Sequence, residues 1–512
     1  MAKSNEFWLK NNEEKQDLSL IESIILRAQY VEYKLSHYLD KAAESIFGFV
    51  SVLPGAFATF RWEAIDGKPL DEFLKGAKDE FGDSSKIMHW ADANKYLAED
   101  RIMCLEIIAK EDSEFILNYV PGAKCLTDPP LSLTGLIKQR RRWFNGSLFA
   151  SIHVLKNMWS IWRRKHSSWK RNLFFMFLYL FMQIQMVLSI LIVGTFYAVF
   201  TIFIRAIFKA EKCVSITSEA NIMQNVYILF LFFSLLLSTT IDISWAENGF
   251  RFWSFIMGLF TLLMIGSSII FAIQENIQSI GVISMIIFLM SYLIPLFVNI
   301  KNVKFWDFVK GLVYVTYLSP TYVNIFTIYS ISNIHDVSWG SRPAAQDGKS
   351  FQDTEKKKEA EYKDFRSGFL IVWWVLNAGV GYGITYLYQS GDTSIVFYLA
   401  IFLVSVNMLR IILSLVHLVA SSIDRCRVTS FKKSMKSNVF KDFKKDEETG
   451  VEEAFVIYYD EIRKDSEIRL STVNDPVYRK STIRSSIRDE KVNRGFDASE
   501  IERKQKIANG TK

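Results

Sequence analysis

Two short polar clusters in this 512-residue chain have the residue types and spacing to do chemistry. The first is Gln139-Arg140-Arg141-Arg142-Trp143, called the arginine cassette below. Guanidinium groups pair with phosphate oxygens, and an indole offers a stacking face for a sugar or a base. On a helix, positions i, i+3 and i+4 share a face. The spacing therefore predicts that Gln139, Arg142 and Trp143 converge on a diphosphate ligand, while Arg140 and Arg141 point elsewhere.

The second cluster is the acidic pair Glu99-Asp100 at the start of a predicted helix. A carboxylate held rigidly beside a hydroxyl group can act as a general base. An acidic pair at a helix start is also ordinary capping and dipole compensation. In the same way, the cassette could simply hold anionic lipid, with its tryptophan as an interfacial anchor. Each cluster by itself leaves both interpretations open.

Four elements must position these clusters. The apolar run before Pro54-Gly55 and the segment EFILNYVPG are typical of strands that end in turns. The stretch KYLAEDRIMCLEIIAK has the apolar spacing of an amphipathic helix, and the cassette fits a further helix. Because Pro-Gly is turn chemistry, the loop Val52-Leu53-Pro54-Gly55-Ala56 could bring backbone close to a ligand.

The composition indicates a polytopic membrane protein. Half of the residues are hydrophobic, and they gather into blocks of about twenty, the length that crosses a bilayer core. Spans are predicted near residues 186–208, 222–240, 252–272, 279–300, 367–388 and 394–420, with 172–185 interfacial and 305–330 ambiguous. Basic residues before the first span and after the fourth place both flanks in the cytosol. We divide the chain into residues 1–171, 172–330, 331–366, 367–421 and 422–512, the last a charged tail.

Several other classes are disfavoured. The basic residues lie beside apolar runs and acidic residues, so the net charge of +7 does not indicate nucleic-acid binding. The four cysteines lie far apart, with neither disulfide nor zinc spacing. The six histidines show no metal-site motif, so a metal held by histidine is not expected.

Taken together, four motifs resemble the chitin synthases, processive family-two glycosyltransferases that make β-1,4-linked N-acetylglucosamine polymers. The motifs are SVLPGAFATFRWEA, YLAEDR, QRRRWFNGS and DVSWGSRP, spread over roughly residues 28–343. The resemblance implies a polytopic α-helical membrane protein with a partial α/β glycosyltransferase-A-like domain at its N-terminus. It also implies that this chain carries only the C-terminal half of the transferase domain.

The resemblance also implies roles for individual residues. Asp100 would be the general base for the 4-hydroxyl of the acceptor sugar, and Glu99 would shape the same site. Gln139, Arg142 and Trp143 would hold the donor diphosphate and the acceptor sugar. The loop formed by Val52, Leu53, Pro54, Gly55 and Ala56 would lie at the channel entrance, with Trp339 and Arg342 near the cytosolic face of the site.

Partners follow from the same resemblance. They are UDP-N-acetylglucosamine, the nascent chitin chain, membrane lipid and a second copy of the chain, at the plasma membrane. A divalent cation, Mg or Mn, is expected for the family, but its binding aspartates are not found in this sequence. The alternative is a catalytically silent, truncated paralogue that acts as a membrane partner or scaffold.

The helical spacing further predicts that Arg142→Lys abolishes activity and that Arg141→Lys is mild.

Overall fold

The computed structural model describes the chain in thirteen stretches and divides it into two compact units, residues 1–424 and 425–512. The described stretches are residues 18–53, 57–81, 89–111, 113–121, 123, 127–163, 169–208, 219–243, 245–274, 293, 303–338, 349–390 and 394–438. Within them the regular structure is helical, and no residue lies in a β-strand.

The part before the membrane contains seven α-helices, in order along the described chain. They are α1 (Leu20–Leu35), α2 (Ala42–Ser45), α3 (Trp62–Ile65), α4 (Lys68–Phe81), α5 (Trp90–Lys95), α6 (Glu99–Ala109) and α7 (Leu133–Asn157). A π-helical segment, Ser36–Lys41, joins α1 to α2, and 3₁₀ turns follow at Tyr96–Ala98 and Met158–Arg163. The two helices predicted for the acidic pair and for the cassette are therefore confirmed as α6 and α7.

The predicted α/β character is not confirmed. The two segments predicted as strands, around residues 46–53 and 114–121, lie side by side without forming a sheet. The Leu117 amide donates to the Gly48 carbonyl at 2.8 Å, and the Tyr119 amide donates to the Ser45 hydroxyl at 2.9 Å. Gly48 has a φ of +77°, which turns the chain out of the extended path that a ladder requires. The extended segments are therefore held by side chains and a turn.

Five described helices are long and apolar enough to cross a bilayer: Trp169–Ile190, Glu219–Thr240, Glu247–Ser267, Ala360–Gln389 and Val404–Ile423. They belong to α8 (Trp169–Ile190), α10 (Glu219–Thr240), α11 (Glu247–Gln274), α14 (Lys349–Gln389) and α15 (Ser394–Asn438). The spans predicted near 222–240, 252–272, 367–388 and 394–420 match four of these helices. The span predicted near 279–300 falls outside the described residues, apart from Leu293.

The first apolar block is arranged differently from the prediction. Residues 172–185, predicted to be interfacial, lie within α8, whereas the predicted span near 186–208 mostly forms the shorter α9 (Ile192–Ile207). The prediction treated Gln183 as an interruption of the apolar run. In the structure, the Gln183 amide donates to the Ser151 carbonyl of α7 at 3.0 Å. A polar side chain with such a partner is compatible with a long apolar helix.

The ambiguous block near 305–330 is broken into short helices. These are α12 (Phe305–Tyr317), the π-helical segment Thr321–Ile325 and α13 (Phe326–Ser332). Pro320 lies at the break, where it cannot donate a backbone hydrogen bond. None of these pieces has the length of a membrane-crossing helix.

Helix α12 packs closely on α1. A methyl group built at Gly311 would lie 2.4 Å from the Arg27 carbonyl oxygen and 2.7 Å from a Val31 methyl carbon. The Arg27 guanidinium also faces the Asp307 carboxylate, with Nε and Oδ1 3.5 Å apart. Since only glycine allows this backbone approach, Gly311 fixes the place of α1, the helix that runs beside the cassette.

We expect Gly311→Ala to destabilise the protein by about 1–3 kcal/mol, because the added methyl group must push α1 and α12 apart. Thermal unfolding of the detergent-solubilised protein measures the effect. Gly266→Ala is the matched control, since a methyl group at that helical position meets nothing within 4 Å. The control is expected to be neutral or slightly stabilising, and equal losses in both variants would contradict the assignment of Gly311.

Candidate active site

The three arginines of the cassette point to three different parts of the protein. They lie on α7, whose first turn is capped by Ser132, with the Gly135 amide donating to the Ser132 hydroxyl at 3.1 Å. Successive residues on an α-helix are about 100° apart, so adjacent side chains cannot share one partner. Arg140 and Arg141 therefore meet different elements, and the charge of Arg142 acts on Asp100 of α6 and on Tyr33 of α1.

Arg140 pairs with Glu32 of α1. The Arg140 Nη2 atom donates to Glu32 Oε2 at 2.8 Å, and Nη1 donates to Oε1, so the contact is a fork. The Arg140 guanidinium also lies 4.3 Å from the centre of the Trp143 ring. Burial raises the pKa of Glu32, an effect that the neighbouring Arg140 opposes. The pair thus joins the cassette to α1.

Arg141 is buried, with only 1% of its surface exposed. It forms an ion pair with Asp336 and donates from Nη2 to the Ser338 carbonyl oxygen at 2.7 Å. Asp336 and Ser338 directly precede Trp339, so the cassette holds the chain where the predicted SWGSRP loop begins. Trp339 and Arg342 themselves lie outside the described residues. Arg141 does point away from the predicted ligand face, but its burial makes a mild effect of Arg141→Lys unexpected.

The predicted ligand face meets Tyr33 of α1. The Trp143 ring approaches the Tyr33 ring edge-on, with centres 6.3 Å apart. Burial raises the pKa of Tyr33, while the charges of Arg140 and Arg142 and a hydrogen bond with Gln139 lower it. Gln139 Oε1 is buried and has no hydrogen-bond partner in the described part of the chain. Gln139, Arg142 and Trp143 therefore border one place, with an acceptor atom left for a ligand.

Asp100 lies in the first turn of α6, directly after the 3₁₀ turn Tyr96–Ala98. Its Oδ1 accepts from the Arg101 amide at 2.9 Å. Burial raises the pKa of Asp100, and the positive charges of Arg101, Lys41 and Arg142 oppose that rise. The carboxylate is thus a better proton acceptor than an exposed aspartate, and it lies within electrostatic reach of the cassette.

A glycine sets how closely the cassette helix approaches Asp100. A methyl group at Gly146 of α7 would lie 2.9 Å from the Ala98 nitrogen and 2.9 Å from the Leu97 carbonyl carbon. The backbone of α7 therefore lies against the two residues that precede Glu99 and Asp100. Glu99 is half-buried at the start of α6, beside this contact.

The loop predicted at the channel entrance begins next to the same site. Lys41 donates its ammonium to the Val52 carbonyl, and Ser51 donates from its amide and its hydroxyl to Glu44, each at 2.8 Å. The Leu53 backbone contacts the Cys104 thiol, one helical turn after Asp100, and burial raises the pKa of that thiol to about 12. Val52 and Leu53 thus lie near α6, whereas Pro54, Gly55 and Ala56 fall outside the described residues.

Sequence reasoning missed several residues of this site. Glu32, Tyr33, Lys41, Glu44 and Asp336 all reach it from distant parts of the chain. For Glu32, a signal was available, since it is a charged residue in a helical segment whose other positions are mostly apolar, whereas Lys41 lies in a largely polar stretch that gives no such signal. Their partners could not be read from the sequence, because the contacts with Arg140 and Val52 depend on the fold.

The described residues around Asp100 do not fit a divalent cation. Three cationic side chains, those of Arg101, Lys41 and Arg142, influence the Asp100 carboxylate. Such surroundings repel a metal ion, which needs several oxygen ligands. Across the described stretches, no group of three or more histidine, cysteine, aspartate or glutamate side chains could hold a metal. We therefore derive no step through a metal here.

The fold and site define a membrane protein in which a half-buried carboxylate at the start of one helix lies close to an arginine-rich helix. Comparison with known proteins then shows which family part of the chain resembles. Residues 9–158 match the family model of a chitin synthase-like glycosyltransferase domain. This match includes Asp100 and the whole cassette, so this part of the chain is similar to the chitin synthases. The resemblance inferred from the motifs is confirmed.

Individual relatives agree with the family match. Chitin synthase 2 of Mycosarcoma maydis is 32% identical over 347 residues, covering 62% of this chain and 32% of the relative. Chitin synthase I of Metarhizium acridum is 33% identical over 341 residues, covering 62% and 38%. Chitin synthase 1 of Phytophthora sojae is 29% identical over 433 residues, covering 77% and 46%. The chain thus spans less than half the length of these relatives.

We expect Arg141→Lys to lower the free energy of unfolding by about 1–3 kcal/mol, because a lysine cannot keep both the Asp336 and the Ser338 contacts at a buried position. Arg251→Lys is the control, since Arg251 pairs with Glu247 on an exposed helix surface, where ion pairs contribute ~0–1 kcal/mol. Thermal unfolding of both variants measures the two losses of stability. Equal, small changes would show that the burial of Arg141 has no energetic consequence.

We expect Asp100→Asn to stabilise the protein at neutral pH. A carboxyl group whose pKa is raised by folding binds more protons in the folded state, so stability falls as pH rises from its ordinary pKa, about 3.9, through the raised value. The asparagine removes this penalty, and the gain should shrink at acidic pH, where the aspartate is neutral. Unfolding midpoints of both proteins at several pH values test this, and a loss of stability at neutral pH would contradict it.

Proposed function

We propose that the chain acts as a chitin synthase-type hexosyltransferase. It would transfer N-acetylglucosamine from UDP-N-acetylglucosamine to the 4-hydroxyl of a growing β-1,4 chain and pass the product across the membrane. The observation that carries this proposal is the close packing of the cassette helix at Gly146 against Leu97 and Ala98, directly before Glu99 and Asp100. The positive charge of Arg142 acts on the Asp100 carboxylate across this contact. A proton acceptor beside an anion-binding group is what glycosyl transfer from a nucleoside diphosphate needs.

Asp100 is the general base in this proposal. Its carboxylate takes the proton from the acceptor 4-hydroxyl as that oxygen attacks the donor sugar. Burial supports the role, because it raises the pKa of Asp100 and so increases the proton affinity of the carboxylate. Glu99, at the start of the same helix, shapes the site. The close approach at Gly146 keeps α6 at a fixed distance from the cassette.

The cassette binds the diphosphate and the acceptor sugar. Arg142 supplies positive charge to the leaving diphosphate, and the buried Gln139 Oε1 atom accepts a hydrogen bond from a sugar hydroxyl. Trp143 stacks on the acceptor sugar. Because the Arg140 guanidinium already covers one face of the indole at 4.3 Å, the sugar uses the other face.

The remaining predicted parts complete the proposal. The loop Val52–Ala56 lies at the entrance to the translocation path, and Trp339 and Arg342 lie on the cytosolic face of the site. The Arg141 contacts with Asp336 and Ser338 support that placement, because they bring the chain just before Trp339 to the cassette. The protein resides in the plasma membrane with this face and the tail in the cytosol, in contact with lipid and with a second copy.

We expect Asp100→Asn to reduce polymer synthesis by about 10²–10⁴-fold, because an amide cannot accept the acceptor proton. Binding of UDP-N-acetylglucosamine should stay largely intact. Arg142→Lys should also lose activity, since an ammonium cannot reproduce the planar, paired contact with a diphosphate. Incorporation of radiolabelled N-acetylglucosamine into insoluble polymer by membranes containing the full chain measures both effects.

The control for these variants is Arg251→Lys, which alters an exposed arginine far from the cassette in sequence. Normal synthesis by Asp100→Asn would remove the general-base assignment. Equal, small losses for Arg142→Lys and Arg251→Lys would leave the cassette as a lipid anchor. If the unaltered chain binds chito-oligosaccharide but synthesises no polymer, the catalytically silent partner or scaffold becomes the better description.

A further inference from the structure

One member of the cassette has no task in the proposed transfer reaction. Arg140 turns away from Asp100 and forms its fork with Glu32, 108 residues earlier in the chain. Both side chains are largely removed from solvent, with 12% and 31% of their surfaces exposed. A forked pair of this kind fixes the plane of the guanidinium as well as its position.

That plane matters because it lies over Trp143. The guanidinium carbon of Arg140 is 4.3 Å from the Trp143 ring centre and 5.7 Å from that of Tyr322. On another side, Tyr33 meets the indole edge-on with ring centres 6.3 Å apart. A cation over an indole face is attracted by the negative potential of that face. The indole therefore has a fixed cation over one face and a second aromatic ring packed against it at a steep angle.

Removing the Glu32 charge would release this arrangement. Without its forked partner, Arg140 can adopt other rotamers, and the indole loses the cation that backs it. Burial raises the pKa of Glu32, an effect that the charge of Arg140 opposes. A buried ion pair is in general weak evidence for stability, so its presence here calls for another role.

We propose that Glu32 is a positioning residue for Trp143 and acts through Arg140. Glu32 sets the guanidinium, the guanidinium sets the indole, and the open face of the indole is thereby presented to the acceptor sugar. The last step rests on the proposed function, whereas the first two concern the ligand-free protein. Since Tyr322 belongs to the π-helical segment Thr321–Ile325, the same cluster joins the sugar-stacking residue to the segment between α12 and α13.

The first experiment measures the environment of the Trp143 indole directly by fluorine NMR. The full chain is labelled with 5-fluorotryptophan in detergent, and the Trp143 resonance among the 13 tryptophans is assigned by its loss in Trp143→Phe. Glu32→Gln and Arg140→Lys should shift or broaden this fluorine resonance without ligand. Asp307→Asn is the matched control, because it breaks the other ion pair on α1, with Arg27, away from the cassette. An unchanged resonance in Glu32→Gln, or the same change in Asp307→Asn, overturns the proposal.

The second experiment measures the consequence for sugar binding. The probe is a chito-oligosaccharide of four N-acetylglucosamine units, titrated against each protein by calorimetry. Glu32→Gln should weaken binding ~10-fold, within the range expected for a lost cation–π support, while Asp307→Asn stays near the unaltered protein. Unchanged affinity in Glu32→Gln overturns the proposal even if the resonance moves. If the unaltered chain does not bind the sugar, the proposed function fails, and the ligand-free resonance alone then decides whether Glu32 positions Trp143.

Discussion

The burial of adjacent arginines on one helix constrains the whole region before the membrane. A guanidinium removed from water must find acceptors, and neighbours on a helix point in different directions. Arg140 therefore holds Glu32 of α1, and Arg141 holds Asp336 and Ser338. Arg142 faces the Asp100 side instead. The helix that carries the cassette thus gathers segments from residues 32 to 338, and the site exists because these segments meet there.

Much of the helical layout could be predicted from periodicity and apolar length. Helices α6 and α7 and four membrane-crossing helices follow from local patterns that need no distant partner. The predictions fail where contacts between distant residues determine the local structure. The sequence pattern predicts a break in the apolar run at Gln183, but the Gln183 amide donates a hydrogen bond to the Ser151 carbonyl and the helix continues. The segments around Gly48 and Leu117 have strand-like composition, yet a positive φ at Gly48 and side-chain contacts replace a sheet.

The candidate site was predictable to a similar extent. The motifs predicted Asp100 and the face formed by Gln139, Arg142 and Trp143. In the structure, Trp143 packs beside Tyr33, and the charge of Arg142 acts on both Tyr33 and Asp100. Periodicity also showed that Arg141 faces away from that group. Periodicity could not show which residues pack against the other side of the helix, where Arg141 is buried. Long-range partners such as Glu32 depend on how α1 docks at Gly311, which one helix's own sequence does not encode.

The contact at Gly146 has a consequence for how such a protein can diverge. There, the cassette helix rests directly on the backbone of Leu97 and Ala98 and on the Ala98 methyl group, so no long, flexible side chain acts as the spacer between the two helices. Changes of side-chain volume elsewhere cannot widen or narrow the gap by small steps. Substitutions on other faces of the cassette helix can change its surface chemistry, while its separation from the first turn of α6 stays constant. The side chains of the two helices are thus free to diverge independently, with the spacing between the helices held by a glycine.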